Sequence, residues 1–125
     1  MKRYDLIVSI STFEHIGYDE GIRYGKLKDN DIQSDRLLTA VARTIGFLNP
    51  GGIFIFTVPL GFNPYLDSLL ENNDLHLTGS YFYKRFTKNN QWKLVSYDEV
   101  NGIKYGEPFQ WANGLMIGIF RKAEA

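Results

Sequence analysis

The chain has 125 residues, 14 basic and 14 acidic side chains, no cysteine, 44% hydrophobic residues and 15% aromatics, which predicts one soluble globular domain. The formal net charge of zero argues against nucleic acid or an anionic membrane as partner. The lack of cysteine excludes a disulfide framework, a thiolate zinc site and a thiol nucleophile. No apolar run reaches the roughly 20 residues that cross a bilayer, and no signal peptide precedes the first strand-like segment, so we expect a cytoplasmic protein.

The first predicted element is a strand over residues 4–11. It is mostly apolar and rich in β-branched residues, which is typical of a central strand that is covered on both faces. Such a strand has neighbours on both edges, yet only three residues precede it. We therefore expect that preceding strands and helices of the fold are missing from this chain.

A long loop is predicted over about residues 12–33, where glycines alternate with acidic residues. Loops of this length in compact domains are often lids or binding loops. A disordered insertion explains the same composition, so the two interpretations stay open.

An amphipathic helix and a second buried strand follow. The apolar face of the helix consists of Leu37, Leu38, Val41, Ile45 and Leu48. Asp31 or Ser34 is expected to cap its start, and the segment 49–52, Asn-Pro-Gly-Gly, is expected to end it. The run 53–58 is the second strand. Strand, helix and strand in this order predict a right-handed crossover between parallel neighbours.

The C-terminal half predicts a short helix and an antiparallel arrangement. Asn63 before Pro64 is a favourable helix start, with a capping side chain followed by proline at the first helical position. Residues 81–86 and 92–97 are aromatic-rich and predict a hairpin. Residues 115–120 predict a last buried strand.

Two segments resemble class I S-adenosylmethionine-dependent methyltransferases. Residues 4–16, reading YDLIVSISTFEHI, are similar to the fourth strand of that family and its acidic-histidine ending. Residues 48–59, reading LNPGGIFIFTVP, are similar to the entry into the fifth strand. The remainder fits the antiparallel sixth and seventh strands. The resemblance implies an α/β fold with part of a Rossmann-like sheet, in the strand order fourth, fifth, seventh, sixth.

The resemblance also implies what the chain lacks. The glycine-rich turn after the first strand, the acidic residue for the ribose hydroxyls and the adenine contact all belong to the N-terminal half of the family fold. S-adenosylmethionine is the cofactor of the family, but this chain alone is expected to bind none with useful affinity and to be inactive. The expected partner is a second copy of the chain or the missing N-terminal half. The methyl acceptor is expected to be a small molecule whose identity stays open.

Candidate site residues lie where the first strand ends. Glu14 and His15 are the candidate catalytic residues, since a histidine at this edge of a sheet can remove a proton from a methyl acceptor. The alternative is that both side chains only hold the turn through hydrogen bonds to backbone. Ser11, Thr12 and Phe13 are expected to line the mouth of the cofactor crevice, at the carboxyl end of the same strand, and to contact the cofactor.

Other patterns carry no site in this interpretation. His76 stands alone, so no metal site is expected. The basic and aromatic residues of the predicted hairpin are typical of a strand that alternates buried aromatics with exposed lysines. Three classes of function therefore remain: part of a methyltransferase, a non-catalytic interaction or dimerisation module, and a truncated product that pairs with itself.

Overall fold

A computed structural model describes residues 2–16 and 30–124. Its elements in chain order are β1 (Tyr4–Ile10), a 3₁₀ turn (Phe13–His15), α1 (Asn30–Gly46), β2 (Leu48–Pro59), α2 (Pro64–Glu71), β3 (Gly79–Arg85), β4 (Trp92–Val95), α3 (Tyr97–Val100) and β5 (Gly114–Arg121).

The strands form one five-stranded sheet in the order β1-β2-β5-β3-β4. β1 pairs with β2 in parallel, and the other three pairings are antiparallel. The mixed α/β class is confirmed, as is the predicted hairpin, which is β3 with β4. The last strand of the chain lies between β2 and β3, which is the order expected for the fifth, seventh and sixth strands. β4 extends that sheet by one edge strand.

One face of the sheet carries the hydrophobic core. Paired residues share a face, so Phe54, Phe56 and Val58 of β2 lie on the same side as Met116 and Phe120 of β5. The helices α1, α2 and α3 pack on this side, and their buried residues join those of the strands in one cluster. Its members include Leu37, Val41, Phe54, Phe56, Val58, Leu66, Leu69, Val100 and Met116.

Within the described residues, the opposite face of the sheet is uncovered. Its apolar side chains include the following, none of which is fully buried: Leu6, Val8, Ile10, Ile53, Ile55, Tyr81, Tyr83, Leu94, Leu115, Ile117 and Ile119. We call this set the open face. β1 is an edge strand, and Leu6, Val8 and Ile10 are exposed. The neighbours that the sequence pattern of β1 requires, on its second edge and on the open face, are therefore not among the described residues.

The start of α1 differs from the prediction. The helix begins at Asn30, so Asp31 and Ser34 occupy helical positions and neither is the N-cap. The predicted loop is shorter at its C-terminal end for the same reason, and residues 17–29 lie outside the described residues.

The start of β2 also differs. The strand begins at Leu48, five residues before the predicted Ile53, because Leu48 already pairs with Tyr4. The pairing register shifts between Tyr4 and Leu6, so the Asn-Pro-Gly-Gly segment lies in an irregular part of the strand instead of a separate turn. Gly51 has a φ of +80°, which only glycine adopts readily.

Candidate functional site

The carboxyl ends of the parallel strands β1 and β2 lie at one edge of the sheet. Ser11 follows β1 with a φ of +50°, and its N–H donates to the carbonyl oxygen of Thr57 over 2.9 Å. The Thr12 hydroxyl donates to the Ile10 carbonyl over 3.2 Å. Both side chains are exposed, so Ser11 and Thr12 lie at the mouth where the sequence places them.

Phe13 belongs to the core. Its ring centroid lies 5.5 Å from that of Phe54 and 5.9 Å from that of Phe56, and the side chain is buried. The ring therefore anchors the 3₁₀ turn on the covered face of the sheet. The aromatic edge that the sequence places at the mouth is instead enclosed by its neighbours.

Glu14 and His15 differ sharply in exposure. The His15 side chain is 50% exposed and that of Glu14 is 4% exposed, with His15 Nε2 lying 3.7 Å from Glu14 Oε2. The His15 ring also meets the Phe62 ring edge-on, with 5.1 Å between centroids. The His15 ring is therefore accessible to solvent, and the buried carboxylate of Glu14 lies beside it.

Asn63 joins the 3₁₀ turn to the start of α2. It is fully buried, and its Oδ1 accepts from the backbone N–H of Tyr65 at 2.9 Å and of Leu66 at 3.2 Å. Its Nδ2 donates to the carbonyl oxygens of Glu14 at 2.8 Å and Ile16 at 3.4 Å. One amide thus caps the helix, as predicted, and fixes the backbone that carries His15.

The segment 101–113 between α3 and β5, which we call the C-terminal loop, completes the site. Gly61 has a φ of +80°, and a Cβ built there would lie 2.2 Å from the Ile103 carbonyl oxygen. This close approach holds the loop against the end of β2 and places the Tyr105 ring 5.1 Å from that of Phe62. His15, Phe62 and Tyr105 thus form a continuous row, which we call the aromatic wall.

A cavity with polar lining residues lies near the aromatic wall, between α2 and α3. This cavity of about 150 Å³ is lined in part by Gly61, Asp67, Glu71 and Tyr97. Both carboxylate oxygens of Asp67 accept from the Gly61 N–H, at 3.1 and 3.2 Å. Burial raises the pKa of Asp67, and the Gly61 hydrogen bond opposes part of this shift. Burial also raises the pKa of Tyr97, and the charges of Glu71 and Asp67 add to it.

The raised pKa of Asp67 predicts a pH dependence of stability. The folded state keeps the Asp67 proton to higher pH than the unfolded chain, so this contribution is complete below the unfolded pKa and is lost as the pH rises through the folded pKa. Asp67→Asn stays neutral and keeps an oxygen for Gly61. We expect the melting temperature of Asp67→Asn to rise relative to that of the wild type as the pH increases from about 4, the ordinary pKa of an aspartate, towards neutrality. A difference that is constant across this range would contradict the assignment.

The sequence pointed to the mouth but missed two contributors. Phe62 and Tyr105 carry no motif, and only the helix-capping role of Asn63 had a local signal, the following proline. The contact of Asn63 with Glu14 joins residues 49 positions apart. No pattern in a single sequence indicates such a contact.

In the described part of the chain, the His, Asp and Glu side chains form no group of three or more that could hold a metal ion. No helix within residues 2–16 and 30–124 is long and apolar enough to cross a membrane. Comparisons of the chain with protein-family models, curated proteins and solved structures found no match.

Proposed function

We propose that this chain is the C-terminal part of an S-adenosylmethionine-dependent methyltransferase domain and is inactive on its own. The observation that carries the proposal is the strand arrangement: two parallel strands, followed by a last strand that enters antiparallel between β2 and β3. The Phe-Glu-His segment lies at the carboxyl end of the first of these strands. Ligands of open α/β sheets bind outside the carboxyl ends of strands.

In the proposed reaction, the cofactor supplies an electrophilic methyl group. His15 accepts the proton of the acceptor hydroxyl or amine as that group becomes methylated, which is worth roughly 100- to 10,000-fold in rate. Glu14 and Phe62 hold the imidazole in place, through the 3.7 Å carboxylate contact and the edge-on ring contact. The exposed Ser11 and Thr12 contact the cofactor at the mouth. The aromatic wall orients the acceptor and excludes water, which is most of what methyl transfer requires.

The site in this chain is only one side of a cofactor crevice. In the methyltransferase family that the chain resembles, most contacts to S-adenosylmethionine come from strands that the described residues do not include. We therefore expect titration calorimetry on the 125-residue protein to give no dissociation constant in the low micromolar range. Tight binding would contradict the proposal of an incomplete site. The variants His15→Ala and Glu14→Ala would then show whether the mouth is responsible.

A second candidate function, a non-catalytic interaction module, is favoured by a different observation. The open face and the unpaired edge of β1 are the surfaces by which proteins associate. An interaction module has no reason to recognise S-adenosylmethionine even weakly at the carboxyl ends of β1 and β2. A titration at millimolar cofactor therefore separates the two candidates.

A further inference from the structure

The outer edge of β1 is a long unpaired strand edge in the described structure. β1 pairs with β2 only, and the sheet order places it at the end. The Ser11 N–H points to Thr57 of β2, and backbone groups alternate in direction along a strand. The peptide groups of Leu6 and Val8 and the N–H of Ile10 therefore face away from β2, where they are available to another strand. The Ile10 carbonyl oxygen already accepts from the Thr12 hydroxyl over 3.2 Å.

A groove runs along this edge. It has a volume of about 590 Å³ and is lined by Tyr4, Leu6, Ile7, Val8, Thr44 and Phe47. Apolar side chains thus flank the free peptide groups on both sides, as in sites that bind an added strand. β1 has no lysine or proline, the residues that commonly protect a strand edge. Its one charged side chain, Asp5, accepts from Asn49 Nδ2 over 2.9 Å.

We propose that this groove binds β1 of a second copy of the chain, so that two sheets join edge to edge in an antiparallel pair about a two-fold axis at Ile7. This register places every residue of Tyr4–Ile10 opposite a residue of the second copy, with new backbone hydrogen bonds between Leu6 and Val8. At the ends of the pair, the Tyr4 N–H already donates to the Phe47 carbonyl and the Ile10 carbonyl already accepts from the Thr12 hydroxyl. Leu6 then lies opposite Val8 of the second copy, and Tyr4 opposite its Ile10, which gives apolar cross-strand pairs. Asp5 lies opposite a serine. A pair centred on Asp5 would instead place two carboxylates opposite each other.

The exposed apolar area suits such a dimer. Tyr4, Leu6, Val8, Ile10 and Phe47 are between 43 and 71% exposed. At roughly 100 Å² each, they expose about 500 Å² of apolar surface, which lies in the range of about 300–600 Å² for the largest apolar patch of a monomer, a patch that is often functional. With the edge backbone and the remaining groove residues, the buried area approaches the roughly 800 Å² per partner of a stable interface. The inference does not rest on the proposed methyltransferase function.

Sedimentation equilibrium at about 10 µM protein tests the dimer. We expect the wild-type chain to have a dimer mass and Leu6→Lys to have a monomer mass. Leu94→Lys is the matched control: Leu94 is 60% exposed on the same open face, against 57% for Leu6, but it lies in β4 at the far end of the sheet. We expect this control to remain a dimer. A wild-type monomer overturns the proposal, and loss of the dimer in Leu94→Lys indicates face-to-face association instead.

Cysteine substitution tests the register, since the chain has no cysteine of its own. In the proposed pair, the two copies of residue 7 are about 4.5–5.5 Å apart at Cα, within the range of a disulfide. Ile7→Cys should therefore form an intermolecular disulfide under mild oxidation. Ser9→Cys should not, because four residues separate the two copies of position 9 along the pair. A disulfide in Ser9→Cys but not in Ile7→Cys overturns the register even where the mass is that of a dimer.

Discussion

Replacing Gly61 with alanine is expected to destabilise the folded state by at least about 3 kcal/mol. The backbone φ of +80° is unfavourable for alanine, and the new Cβ would lie 2.2 Å from the Ile103 carbonyl oxygen and 2.9 Å from the Tyr105 nitrogen. Relief of the overlap requires the C-terminal loop to move away from β2, which takes Tyr105 out of the aromatic wall. Urea denaturation gives the free energy of unfolding, and near-ultraviolet circular dichroism reports the aromatic packing.

Gly102→Ala is the matched control for this substitution. Gly102 has nearly the same φ, +79°, but no atom lies within 4 Å of the position of its Cβ. Gly102→Ala should then lower the free energy of unfolding only by the strain of alanine in a left-handed backbone conformation, about 1 kcal/mol. Equal costs at the two positions would show that the approach of the loop to Gly61 does not hold the site together.

Asn63→Ala is expected to cost about 3 kcal/mol of unfolding free energy. Two effects combine: α2 loses its N-cap, and the buried carbonyl oxygen of Glu14 loses a donor at 2.8 Å. Asn63→Ser keeps a capping oxygen but loses the amide donor, so its cost should be intermediate. Urea denaturation of both variants measures the two contributions.

Asn72→Ala controls for loss of an asparagine at the other end of α2. Asn72 is exposed, and its Nδ2 makes only a 3.5 Å contact with Ser68 Oγ. We expect a change within about 0.5 kcal/mol. If Asn63→Ala costs no more than Asn72→Ala, the bridge between α2 and the 3₁₀ turn contributes nothing to the fold.

The sequence predicted the strands and the hairpin well, because continuous β-branched runs and an aromatic pair of segments are local signals. It did not predict where β2 begins. Two long-range interactions place Leu48 and the following Asn-Pro-Gly-Gly segment in the strand. Leu48 pairs with Tyr4 of β1, and the Gly51 N–H donates to the Lys122 carbonyl oxygen over 2.9 Å. Such pairing joins segments more than 40 residues apart. Local propensity cannot indicate it.

The candidate site was predictable in position more than in detail. Residues that follow a parallel strand lie where ligands of open α/β sheets bind, so the sequence alone could predict that Ser11, Thr12 and His15 lie at the carboxyl end of β1. The pattern could not tell which side chains turn inward. Both Phe13 and Glu14 are buried in the 3₁₀ turn, which directs the Phe13 ring onto Phe54.

Nuclear magnetic resonance of the ¹⁵N-labelled chain, titrated with S-adenosylmethionine to millimolar concentration, tests the proposed site most directly. We expect weak binding that shifts the amide signals of residues 10–16 and 60–63. The amide signals of Thr78 and Arg121 should not shift, because Arg121 pairs with Ile53, at the opposite end of β2 from the proposed site, and Thr78 lies beside it. An unchanged spectrum, or shifts spread over the open face, would contradict a cofactor site at the carboxyl ends of β1 and β2.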